Sequence, residues 1–145
     1  MSNVLNSFKQ AGSGSDNEFT VGGTMQTTGG QDLKKIYFAT DIIDISTASS
    51  VDIASPVNGT ITKIQTCING AITVADAIIT SSIDGVAITD GAITIAFTGS
   101  AAGTVDVANP TAANSVLLGN NIRFVTDGGS TDVIKATIMI EITLS

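Results

Sequence analysis

The sequence predicts an all-β chain: an antiparallel β-sandwich of jelly-roll or Greek-key type, with a flexible Gly-rich N-terminal arm in front of it. Three observations carry this. Between Pro56 and Phe97 one phrase recurs four times, as Asn58-Gly59-Thr60-Ile61-Thr62, Asn69-Gly70-Ala71-Ile72-Thr73, Asp84-Gly85-Val86-Ala87-Ile88-Thr89 and Asp90-Gly91-Ala92-Ile93-Thr94. Asn-Gly and Asp-Gly supply the positive backbone angles of tight hairpin turns, and the β-branched Ile and Thr that follow suit an extended chain. The copies start 11, 15 and 6 residues apart, which excludes a regular solenoid and leaves turn-and-strand hairpins. From Val133 to Leu144 the even positions Ile134, Ala136, Ile138, Ile140, Ile142 and Leu144 are all apolar, while Lys135, Thr137, Glu141 and Thr143 lie on the odd face with Val133 and Met139. That period of two belongs to a strand with one face on a core. No segment carries a helical period.

The chain divides at about residue 32. Residues 1–32 hold six glycines among Ser, Thr, Gln and Asn, with scattered apolar residues such as Leu5, Phe8, Phe19 and Val21. Ordering such a segment costs about 1–2 kcal/mol of backbone entropy per residue, with little burial to offset it. The segment reads either as a plain flexible tail or as an arm that orders against a neighbouring subunit, with Phe8, Phe19 and Val21 as the partner-binding candidates. Residues 33–145 read as the sandwich domain.

Within it, Leu33–Ala39 and Ile42–Ile45 flank Thr40-Asp41 and form one long bent strand or two short ones. Ser49-Ser50 is expected to interrupt the chain before a strand at Val51–Ala54, which Pro56 ends because proline cannot donate to a ladder. Thr60–Cys67 reads as a strand with Thr62, Ile64, Thr66 and Ile68 on one face and Lys63 and Gln65 on the other, wet face. Asp76–Ile83 and Ala92–Phe97 alternate likewise, with Ala77, Ile79, Ile83, Ile93, Ile95 and Phe97 expected in the core. Thr98–Ala113 is a loop around a short strand at Thr104–Val107. Ser115–Leu118 and Asn121–Thr126 are strands separated by Gly119-Asn120, with Ile122 and Phe124 sharing a face opposite Arg123. Val133–Leu144 should cross most of a sheet.

Composition limits the function. Six basic against thirteen acidic residues leave a net charge of −7, which repels phosphate and argues against a nucleic-acid partner. Polar residues or glycine interrupt every apolar run short of the roughly 18 residues a membrane helix needs, so a soluble protein with no membrane partner is expected. Lys9 is followed by no apolar segment, so no secretory signal is expected. Charged residues make up only 13% of the chain, about half the usual share. The resulting small, neutral surface suits packing against copies or a partner.

No chemistry emerges from the residues, and none is expected: no catalytic residue, no cofactor and no metal. Without histidine, Ser-His-Asp and Cys-His nucleophilic arrangements cannot be built, and soft-metal sites lose their commonest ligand. The single cysteine, Cys67, excludes an internal disulfide and reads as a small buried or half-buried strand residue. Asp127-Gly128-Gly129-Ser130-Thr131-Asp132 clusters hard oxygen ligands but lacks the ligand spacing and bidentate Glu of an EF-hand, so a solvated turn is preferred to a calcium loop. Ser55–Ile61 superficially resembles the Pro-x-x-Gly hairpin of biotinyl and lipoyl carrier domains, yet Ile68–Gly99 contains no lysine to modify.

Taken together, Ser55–Ile64, Ile83–Val86, Ile93–Ala96, Gly99–Gly103, Pro110–Asn114 and Asp127–Thr131 resemble the head decoration, or cement, proteins of tailed phages across roughly Val51–Leu144. The resemblance implies a jelly-roll-like sandwich that trimerises on the capsid exterior and bridges copies of the major capsid protein. The implied partners are that protein and the chain itself. The implied locations are the virion exterior and, during assembly, the host cytoplasm. A carbohydrate-binding module of a phage tail or fibre tip is the alternative expectation, and the absence of Trp weighs against it.

Overall fold

Alternation of small polar and β-branched residues becomes two facing antiparallel sheets. The computed structural model describes residues 34–145, and Phe8, Phe19, Val21 and the rest of the proposed arm lie outside them. Lys35–Ser145 form one unit built of ten strands, with no helix among the described residues. In chain order these are β1 (Lys35–Ile42), β2 (Ser49–Ala54), β3 (Gly59–Ile68), β4 (Ala77–Ile83), β5 (Val86–Ala87), β6 (Ile93–Ile95), β7 (Val105–Ala108), β8 (Ser115–Val116), β9 (Asn121–Thr126) and β10 (Ala136–Leu144).

The first sheet runs β1-β10-β3-β7, with β8 also paired to β3; the second runs β2-β9-β4-β5, with β6 also paired to β4. Each sheet is assembled mainly from strands distant in sequence, an order compatible with a jelly roll. The chain is thus an all-β antiparallel sandwich. Its large, fully buried side chains are Phe124 and isoleucines from both sheets, including Ile61, Ile64, Ile79, Ile95, Ile122, Ile138, Ile140 and Ile142. Each contributes about 1.5–3 kcal/mol by leaving water, and a β-branched side chain has little rotamer freedom to lose.

Several expectations are corrected. Ser49 and Ser50 open β2 instead of interrupting the chain, because both lie in register with Thr126 and Val125 of β9. The first strand is continuous through Thr40 and Asp41 and stops at Ile42, where the Asp44 carboxylate turns the chain by accepting from the backbone N–H and hydroxyl of Ser46. The last strand is nine residues long and begins at Ala136. Phe97 lies beyond β6 and is 44% exposed, outside the core.

The largest correction concerns β3. Glu141 pairs with Lys63 and Ile142 with Ile61, so Thr62 is an extra residue, a β-bulge. The bulge sends Thr62 to the outer face beside Lys63, while Ile61 and Ile64 both point into the core. Thr62 therefore does not share a face with Ile64.

The repeated phrase also separates into different structures. Only Asp84-Gly85 places both residues at positive φ, 48° and 85°, as a two-residue hairpin between β4 and β5 requires. Gly59 has no positive φ. It is needed because β10 passes so closely that a Cβ would strike the Thr143 carbonyl and the Ile142 side chain.

Candidate interaction surface

The outward positions of the first sheet come from its register. Lys35, Tyr37, Ala39 and Asp41 of β1 face outward beside Thr143, Glu141, Met139 and Thr137 of β10. Next to these lie Lys63, Gln65 and Cys67 of β3, then Val107 and Val105 of β7. Across the middle of this face runs an open groove of about 300 Å³ lined by Ala39, Gln65, Cys67, Val105, Thr137 and Met139. Cys67 is exposed there, a correction to the buried or half-buried expectation: it stands on the outward parity of β3, opposite Val105.

The two carboxylates on this face are paired within the chain. At one end of the groove Glu141 has only 7% of its side chain exposed, accepts from Thr62 Oγ1 at 2.6 Å and pairs with Lys35 Nζ at 3.0 Å. The bulge brings Thr62 to this carboxylate. The Thr62 hydrogen bond, followed by those from Lys35 and Tyr37 and the Lys35 charge, outweighs the cost of burial and holds Glu141 down at a pKa of about 2. The same contact raises the Tyr37 hydroxyl pKa. At the other end Asp41 accepts from Thr137 Oγ1 at 2.6 Å and from Lys135 Nζ at 3.5 Å, and its pKa is lowered chiefly by the threonine.

The second sheet presents a different outer face. Ser50 and Asp52 of β2, Arg123 and Val125 of β9 and Thr80 and Ser82 of β4 point outward, and Arg123 Nη2 donates to Ser50 Oγ at 2.8 Å. Arg123 and Asp52 approach only to 3.9 Å, and both are about half exposed.

Carboxylates that sequence grouped as possible ligands act as ties between loops. Asp127 Oδ1 accepts from the backbone N–H groups of Ile78 and Gly129, while Asp132 Oδ2 accepts from the N–H and hydroxyl of Thr73. The two ends of that stretch therefore serve different neighbours. Among the described residues no group of three or more Cys, Asp or Glu converges as a metal site, and no helix is long and apolar enough to cross a membrane.

Asn and Asp of the repeated phrase likewise reach across the molecule. Asn58 Oδ1 accepts from Leu118 N–H, Asn69 Oδ1 from Lys135 N–H, Asp84 from Asn120 and Asn121, and Asp90 from the Thr111 hydroxyl. Nothing local in the sequence signals these partners, which lie 21 to 66 residues away.

The described residues thus define a class, an all-β antiparallel sandwich with an apolar groove on one outer face. The chain matches no known family model and no curated protein.

Proposed function

We propose that the chain is a structural virion protein: a decoration, or cement, protein that caps the outside of a tailed-phage head as a homotrimer and braces the lattice of the major capsid protein. The observation that carries this reading is the groove on the first sheet. A surface lined by Ala39, Cys67, Val105 and Met139, with its flanking carboxylates already paired inside the chain, gains by being covered and loses little electrostatic solvation of those carboxylates when it is. A strand order compatible with a jelly roll and the resemblance of the turn phrases to cement proteins support it further. The low charge of the whole chain is in keeping with a body packed against copies of itself.

The physical logic is multivalency. A trimer that touches several capsid subunits at once gains avidity well beyond any single contact, so weak individual interfaces suffice. Its work is mechanical, with no reaction to catalyse. The expected results are a trimer by light scattering and binding to expanded capsid shells. Val105→Glu combined with Met139→Glu, which places carboxylates in the groove, is expected to give monomers of unchanged fold. A wild-type chain that is strictly monomeric and ignores such shells defeats the reading.

A further inference from the structure

Three of the most exposed large apolar residues sit at one end of the sandwich: Ile43 at 80%, Val133 at 76% and Val74 at 72%. They belong to the β1–β2, β9–β10 and β3–β4 connections, which are tied together. Ile45 N–H donates to Ile134 O at 2.9 Å, Lys135 N–H to Asn69 Oδ1 at 2.9 Å and Thr73 N–H to Asp132 Oδ2 at 2.7 Å. The three side chains are therefore carried on one stitched platform.

Val74 is held in an unfavourable conformation as well. Its φ is +76°, and Ala75 N–H donates to Thr73 O at 2.9 Å, which closes a γ-turn of the strained hand. A β-branched residue rarely adopts this backbone, and here no burial offsets the strain because the side chain stands in solvent. Glycine would fit the turn without strain, so an exposed valine there points to a contact outside the chain.

Charge indicates the kind of contact. Asp41, Asp44, Asp76, Asp127 and Asp132 all lie at or beside these connections, and Lys135, which pairs with Asp41, is the one basic side chain among the described residues of this end, so the carboxylates remain in excess. Next to Ile43 is an open hollow of about 470 Å³ whose lining includes Asp41, Asp44, Thr47 and Ser50. Aliphatic residues ringed by carboxylates, beside an acidic hollow, complement an apolar protein surface rimmed with Lys or Arg. They repel phosphate and anionic lipid.

We propose that this end of the sandwich docks on the capsid shell, with Ile43, Val74 and Val133 entering an apolar hollow of the major capsid protein and a Lys or Arg on its rim entering the cleft beside Ile43. The inference rests on the decoration reading and adds to it the end that faces the shell. The test measures binding of the full chain to expanded shells for three proteins: wild type, a variant carrying Ile43→Ser, Val74→Gly and Val133→Ser, and a control carrying Leu117→Ser and Leu118→Ser at the opposite end. The first variant is expected to bind at least about tenfold more weakly while keeping the trimer mass and a thermal midpoint no lower than wild type. The control is expected to bind normally, and wild-type binding should weaken as ionic strength rises. Equal binding by the first variant overturns the inference and leaves the decoration reading standing. Loss of the trimer in that variant places a second copy at this end and also overturns it. Wild type that ignores shells overturns both.

Discussion

The centre and the edge of the first sheet each carry a carboxylate, and their pKa values move in opposite directions. On central β10, Glu141 is nearly enclosed yet its pKa falls to about 2, because Thr62, Lys35 and Tyr37 all donate to it. On edge strand β7, Asp106 points inward and its pKa is raised by burial alone. Its Oδ2 has no hydrogen-bond partner, and neither has Thr66 Oγ1 of the residue paired with it in register. Desolvation opposes the charge at both positions. The number of donors decides the sign.

The bulge at Thr62 supplies the leading donor at the centre, so breaking the bulge is the strongest test. Gly59→Ala places a methyl group against the Thr143 carbonyl and forces β3 away from β10 next to that bulge. It is expected to cost about 3 kcal/mol by urea unfolding and to lose the acid dependence assigned to Glu141. An unchanged midpoint would mean that the close approach at Gly59 is not needed.

Glu141→Gln acts on the carboxylate alone and is expected to cost about 2 kcal/mol at neutral pH. With the folded-state pKa below the usual 4.5, the stabilisation from ionised Glu141 is complete above that value and is lost as pH falls towards about 2. Thermal midpoints of wild type should therefore fall over this window and those of the variant should fall less.

At the edge the sign reverses. Because burial raises the Asp106 pKa, the folded state binds that proton more tightly, and stability is lost as pH climbs from the usual 3.8 through the raised value. Asp106→Asn is expected to raise the midpoint at neutral pH and to leave it unchanged in strong acid, since the amide carries no charge and can donate to Thr66. A lower midpoint at neutral pH would show that Asp106 has a donor after all.

The half-exposed Arg123–Asp52 pair on the second sheet sets the baseline. Asp52→Asn is expected to change stability by less than about 1 kcal/mol, measured by the same urea titration.

Much of the fold was legible from side-chain parity. Ile122 and Phe124 opposite Arg123, the even face of β10, and Ala77, Ile79, Ile93 and Ile95 all lie where alternation places them. The surface was less legible. Phe97 lies outside the core because β6 ends two residues before it, and Cys67 is exposed because it stands on the outward parity of β3, opposite Val105. The loop end with Ile43, Val74 and Val133 could not be found in advance. Its residues are far apart in the chain, and the clue to it is a backbone angle with no composition signal.

Alternation along the chain sets the class of fold, because a period of two in β-branched residues leaves few ways to bury one face without helices. The residues alone also set the tight turn at Asp84-Gly85, since that depends only on local backbone angles. Tertiary structure alone decided the strand order, the extra residue at Thr62, the close approach that makes Gly59 necessary, and the distant partners of Asn58, Asn69, Asp84 and Asp90. Each of these depends on which strand lies alongside, and pairing between segments far apart in the chain leaves no mark within either one.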